Sequence, residues 1–108
     1  MTTTAPSDAV RLSGRRVFDN RGQRVGRVAG VVYDRVSSLP RWALIDMGRV
    51  IRFRTAVPLR EAHRSIDGDL VLAFDRAVVR HAPRVESGPV ITSGEERALR
   101  RHYRLDGS

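Results

Sequence analysis

The stretch RVFDNRGQRVGRVAGVVYDRV, residues 16–36, interleaves valine, arginine and glycine. Valine and aromatic residues at this density favour strand. Asn20-Arg21-Gly22-Gln23 interrupts them with turn chemistry, and Gly22 is free to adopt a positive φ. Two apolar runs around such a turn predict a β-hairpin, its first arm over 15–19 and its second carrying Val25, Val28, Val31, Val32 and Tyr33. Val25 and Val28 are three apart and would face opposite sides of a regular strand. A bulge between them restores a common face, and Gly26 is where a bulge or sharp coil forms most readily. Glycine weakens a regular strand through entropy and lost packing. Gly26 and Gly30 therefore predict a long strand that bends to serve two sides of a small closed sheet. The alternative for Gly26 is that it sits beside bulky neighbours.

Outward from this hairpin the chain continues as a β protein. Residues 34–40 form a loop, and Trp42-Ala43-Leu44-Ile45-Asp46-Met47 is a mostly apolar strand. Gly48-Arg49 marks a tight connection to an alternating run, Val50-Ile51-Arg52-Phe53-Arg54, continued by 55–59. Pro58 has no N–H to give a ladder and belongs at a strand end or edge. Residues 60–64 read as a turn or a single helical turn, and Asp67-Gly68 as the turn of a second hairpin ending at Phe74. Asp75 caps a short helix near 75–80, which Pro83 prevents from continuing. Residues 84–91 are extended and irregular. A final amphipathic helix begins at Thr92 or Ser93, with Glu95 or Glu96 completing a capping box. It gathers Ala98, Leu99, His102, Tyr103 and Leu105 on one side and Arg97, Arg100, Arg101 and Arg104 on the other.

The 108 residues suit one domain. Residues 1–11 are expected to be a disordered tail, 12–91 a β domain, 92–105 a helix packed on it, and 106–108 a second tail. The chain has no cysteine, which rules out disulfides and thiolate chemistry and fits a reducing cytoplasm. No apolar run approaches the roughly 20 residues of a membrane helix, and the polar N-terminus lacks the pattern of a signal peptide. The formal charge is +8, carried by twenty arginines without one lysine. A net charge of this size fits an anionic partner. Total exclusion of lysine reads more as a genome-wide preference for arginine than as a surface selected for phosphate.

The ordered set of motifs resembles a known family. It runs Gly14-Arg15-Arg16-Val17-Phe18-Asp19, then Gly22-Gln23-Arg24-Val25-Gly26-Arg27-Val28, then Val31-Val32-Tyr33-Asp34. Pro40-Arg41-Trp42-Ala43-Leu44-Ile45, Val57-Pro58-Leu59 and Ala82-Pro83 follow. Together they are similar to the PRC-barrel domain, shared by the photosynthetic reaction centre H subunit and the ribosome maturation factor RimM. The closing residues 95–103 resemble the short helix that ends free-standing bacterial members. The resemblance covers roughly residues 12–105 and implies a mainly β, SH3-like barrel of five or six strands that holds partners rather than catalyses. It implies a structural role for Gly22, Gly26, Asp34, Trp42, Pro58 and Tyr103. With no membrane helix and no preceding domain of the RimM kind, neither of those two roles is expected here.

The residues themselves carry little catalytic chemistry. His63, His81 and His102 form no metal motif, and Glu61 and His63, two apart, suit at most one strand face. His102 is expected to pack with a bond to a backbone carbonyl rather than to act as a pH switch. The serines fall in loops, caps and tails without a nucleophile elbow, and the aspartates flank turns. No phosphate loop is present. No enzyme activity, metal or cofactor is expected. The expected function is an interaction module binding a protein partner or itself, with Arg97, Arg100, Arg101 and Arg104 as the partner surface. Sheet edges suggest self-association as a homodimer. The alternative is a ribosome- or RNA-associated assembly factor using the arginine surface. Trp42 is expected to be a core anchor with its N–H bonded locally.

Overall fold

Bulges shape the long strand at the centre of the sheet. The computed structural model describes residues 12–86 and 90–105; the expected tails at 1–11 and 106–108 and the breaker Ser87-Gly88-Pro89 lie outside them. The strands are β1 (Arg16–Phe18), β2 (Arg24–Tyr33), β3 (Pro40–Met47), β4 (Phe53–Pro58), β5 (His63–Arg64) and β6 (Leu70–Val71). Two helices follow, α1 (Arg76–Arg80) and α2 (Ser93–His102). The fold is mainly β. Its six strands form one mixed sheet in the order β4-β3-β2-β1-β6-β5, in which β4 and β5 are the margins, so the sheet is open.

The two ends of β2 serve different neighbours: residues 24–27 pair with β1 and residues 27–33 with β3. Val17 faces Gly26 and Phe18 faces Arg24, so Val25 is the extra residue of one bulge. Val28 faces Ile45 and Gly30 faces Leu44, so Ala29 is the extra residue of the next. Each glycine adjoins a bulge, and Val25 and Val28 both reach the core. The close-neighbour reading of Gly26 holds as well. A Cβ there would overlap the carbonyl oxygen of Asp46 and press on Ile45 Cγ2 at 3.1 Å.

Trp42, Ala43, Leu44 and Ile45 are all buried, so both faces of β3 are covered, as a continuous apolar run requires. Leu12, Val17, Val57, Leu70, Leu72, Val79 and Leu99 complete the largest apolar side chains of the core. Asp75 caps α1 by accepting from Ala77 N at 3.2 Å. Thr92 and Glu95 form the capping box of α2, with bonds of 3.1 and 2.9 Å.

The closed sheet expected from Gly26 and Gly30 is corrected to an open one, and three local expectations are corrected as well. Val50 and Ile51 are not in a strand: Gly48 takes φ 94° and the Ile51 carbonyl folds back against it, so the tip runs to Arg52 and β4 begins at Phe53. His63 and Arg64 are a strand rather than part of a turn, because they pair with Val71 and Leu70. The arm expected to reach Phe74 shortens to Leu70–Val71, which also pairs in parallel with β1, an arrangement the sequence does not announce.

Neither margin of the sheet is an open template. Along β4 the Arg54 carbonyl accepts from Val85 N at 2.9 Å and the Ala56 carbonyl from Tyr103 Oη at 3.0 Å, while Pro58 has no N–H. The other margin, β5, is only two residues long. Short, covered or proline-bearing edges resist pairing with another chain.

The end of α2 carries local strain. Leu105 N donates to Arg100 O at 2.8 Å and Arg104 N to Arg101 O at 3.2 Å, a Schellman closure with Arg104 at φ 58°. Glycine adopts that conformation without the Cβ clash. Arg104→Gly is expected to raise stability by about 1 kcal/mol, read as a higher urea midpoint at unchanged slope. A fall would show that the arginine side chain contributes packing that outweighs its backbone.

Candidate functional site

The four arginines assigned to a partner surface divide into two groups. Arg97, Arg101 and Arg104 stand exposed on the outer side of α2, and their side chains make no hydrogen bond or ion pair with other described residues. Arg100 leans toward the sheet. It lines a groove of about 280 Å³ together with Arg41, Trp42, Pro58, Arg60 and Leu105. At 100° per residue the helical positions 97, 100 and 101 span an arc of about 100°, so the groove and the outer arginines adjoin.

The groove is built by register. Trp42 pairs with Pro58, and one step outward Leu59 N donates to Arg41 O at 3.0 Å. Arg41 is the extra residue where Tyr33 faces Pro40 and Val32 faces Trp42. Its guanidinium bonds Asp34 at 2.6 Å and approaches Glu96 at 3.6 Å. Asp34 also accepts from Ser37 N at 2.8 Å and Val36 N at 3.1 Å, closing the turn before β3. The Ser37 backbone N–H and hydroxyl, with Arg41 and Val36 against partial burial, hold the Asp34 carboxyl below its usual range. Arg60 makes no side-chain bond with other described residues.

The floor is aromatic and closed. Trp42 is 2% exposed, and its ring centroid lies 6.4 Å from that of Tyr103. Its N–H is not bonded locally as expected: it donates to Glu96 Oε2 at 3.4 Å, on α2, because the helix lies across the strand. Tyr103 packs at 4.8 Å against Phe74, and burial pushes its phenol far up. Asp34, Trp42, Pro58 and Tyr103 thus gather around the groove, whereas Gly22 (φ 81°) and Gly26 lie at the β1–β2 end of the sheet. Sequence reasoning quoted Arg41 within a motif but did not place it, or Arg60, at the site. Counting outward from the 48–52 turn would have brought positions 41 and 59 together.

The other titratable groups hold the frame. Asp19 accepts from Gln23 N, Arg21 N and Arg76 N at 2.7, 2.8 and 3.0 Å. Asp69 bonds Arg16 at 2.7 Å and Asp46 bonds Arg54 at 2.7 Å. His81 Nδ1 meets Ala77 O at 2.8 Å and His102 Nε2 meets Val78 O at 2.7 Å, the latter as expected of a packed histidine. Among the described residues no three His, Asp or Glu side chains gather as a metal ion would need. No helix of the described residues is long and apolar enough to cross a membrane. The chain matches no family model and no curated protein.

Proposed function

We propose that the chain is a non-enzymatic interaction module of PRC type that holds an acidic segment of a protein partner. The carrying observation is the convergence of Arg41, Arg60 and Arg100 over an apolar floor, continued outward by the Arg97, Arg101 and Arg104 side of α2. An extended acidic segment sets carboxylates on the guanidinium forks of Arg60, Arg97 and Arg101, which match carboxylate geometry, and an apolar side chain on Leu105 and Pro58. The structural duties of Asp19, Asp34, Asp46, Asp69 and Asp75 support a role without acid–base catalysis. The barrel reading draws its support from the motif order and from β2 bending between two neighbours. The cysteine-free chain suits a reducing compartment, and the proposal places it in the cytoplasm.

Two observations favour a protein over RNA or over a second copy. Trp42 and Tyr103 turn their faces inward, and Phe53 lies under Arg84 at 4.5 Å, so these rings are not laid out as a stacking platform. The covered β4 margin and the two-residue β5 remove the edge argument for a homodimer.

The test is fluorescence anisotropy with labelled deca-glutamate and labelled deca-uridylate. The peptide is expected to bind the wild type and to lose at least tenfold in R60Q/R97Q/R101Q, whose surface positions leave the melting curve unchanged. Equal loss from an R21Q/R35Q/R80Q control, or tighter binding of the ribonucleotide with a steep salt slope, would overturn the reading.

A further inference from the structure

The β3–β4 tip is the most exposed apolar feature flanked by basic residues on both sides. Its sequence is Gly48-Arg49-Val50-Ile51-Arg52. Val50 is 95% exposed and Ile51 75%, and Arg49 and Arg52 are also exposed. The Gly48 turn forces this: with the Ile51 backbone folded back on Gly48, the intervening side chains point away from the protein. Neither arginine makes a side-chain bond with other described residues. Of the nearby carboxylates, Asp46 is taken by Arg54, and Glu86 lines a shallow cleft behind the tip with Arg52 and Phe53. Of the other strongly exposed aliphatic residues, Val36 shares a turn with the less exposed Leu39 and is held there by the Asp34 carboxylate, and Ile66 is followed by Asp67.

We propose that this tip docks the protein on an anionic lipid surface, Val50 and Ile51 entering the headgroup boundary and Arg49 and Arg52 meeting the phosphates. The shape argues for lipid. A side chain that touches almost nothing of its own protein is a convex wedge, which a deformable bilayer accepts wherever it meets it. Two aliphatic side chains bury apolar area in the interface, and flanking basic residues add attraction to anionic lipid. The tip lies at the opposite end of the β3–β4 ladder from the groove. Five residue steps separate the Trp42–Pro58 pair from the Met47–Phe53 pair, about 17 Å of strand. Occupation of one site therefore leaves the other open.

The test is co-sedimentation with vesicles of phosphatidylcholine alone and of seven parts phosphatidylcholine to three of phosphatidylserine. The wild type is expected to pellet with the anionic vesicles, at least tenfold more than with neutral ones at low salt. V50S/I51S is expected to lose at least fivefold on the anionic vesicles, and R49Q/R52Q to lose the preference for them, both with unchanged melting. R97Q/R101Q is expected to bind as the wild type does, which separates the tip from general basicity and from the groove. Because the chain lacks cysteine, Val50→Cys carrying an environment-sensitive fluorophore gives a second readout, a blue shift on anionic vesicles. No pelleting with either composition, equal pelleting of wild type and V50S/I51S, or an unshifted label would overturn the proposal, and the first would leave the tip to a protein surface.

Discussion

Gly26→Val is expected to yield no folded protein, and Gly26→Ala to lose about 3 kcal/mol. The added Cβ has no rotamer to escape into: it meets the carbonyl oxygen of Asp46 and, at 3.1 Å, Ile45 Cγ2. Relief requires moving β3 away from β2 at the step where Arg27 pairs with Asp46 and the sheet turns. Gly30, four residues along the same strand and beside the next bulge, supplies the control. Its nearest neighbour to an added Cβ is Leu44 Cδ1 at 3.8 Å, ordinary contact. Gly30→Ala is expected to leave stability unchanged or raise it by about 0.5 kcal/mol through lower unfolded-state entropy. Urea unfolding followed by circular dichroism and Trp42 fluorescence reads both. A Gly26→Ala protein as stable as wild type would mean that the approach of the two backbones is not what demands glycine.

Asp19→Ala is expected to cost about 3 kcal/mol, since three backbone N–H groups lose one acceptor together. Asp19 is 0% exposed. It ties the β1–β2 turn, through Arg21 and Gln23, to the first turn of α1, through Arg76. Asn20 N adds a bond to Phe74 O at 3.3 Å across the same junction. Asp19→Asn keeps one acceptor oxygen and is expected to fall between wild type and alanine. The same geometry sets the acid response. Burial pushes the Asp19 carboxyl up, but the N–H donors of Gln23, Arg21 and Arg76, with the Arg76 charge, together hold it below its usual value. The Arg16 hydrogen bond does the same for Asp69 against burial, and Ser37 for Asp34. A carboxyl lower in the folded than in the unfolded chain stabilises above the unfolded value, near 3.9, and that contribution disappears as pH falls through the folded value. The urea midpoint is therefore expected to hold near neutral pH and drop below about pH 4. The drop should be shallower in Asp19→Ala, and a midpoint that rises in acid would contradict it.

The elements that could be read from sequence were those whose cause is local. Asn20-Arg21-Gly22-Gln23 closes a turn by its own chemistry, Asp75 and Thr92 cap helices within their first turns, and Leu99 and Tyr103 share a helical face. The break between Val25 and Val28 announced an irregular strand, although the bulges fall at Val25 and Ala29 rather than between the two valines, and the apolar run from Trp42 announced a strand. Elements that depend on distant partners stayed hidden. His63-Arg64 is a strand only because Leu70-Val71 lies beside it, and that pair is strand only because β1 lies beside it in turn. Val50 and Ile51 alternate with their neighbours as a strand would, yet Gly48 reverses the chain just before them. The site was half legible for the same reason. Periodicity gathered the arginines of α2, but Arg41 and Arg60 join Arg100 through the register of β3 with β4 and the docking of the helix, and neither is written in a local pattern.

The hydroxyl that Tyr103 extends to the Ala56 carbonyl gives the terminal helix a duty besides presenting charge. Loss of that helix, by proteolysis ahead of Thr92 or by a mutation that empties the Leu99 socket, would uncover the Ala56 carbonyl while the Val85 bond still covers Arg54. The outermost strand would be half guarded, and a neighbouring copy would find one place on it to pair.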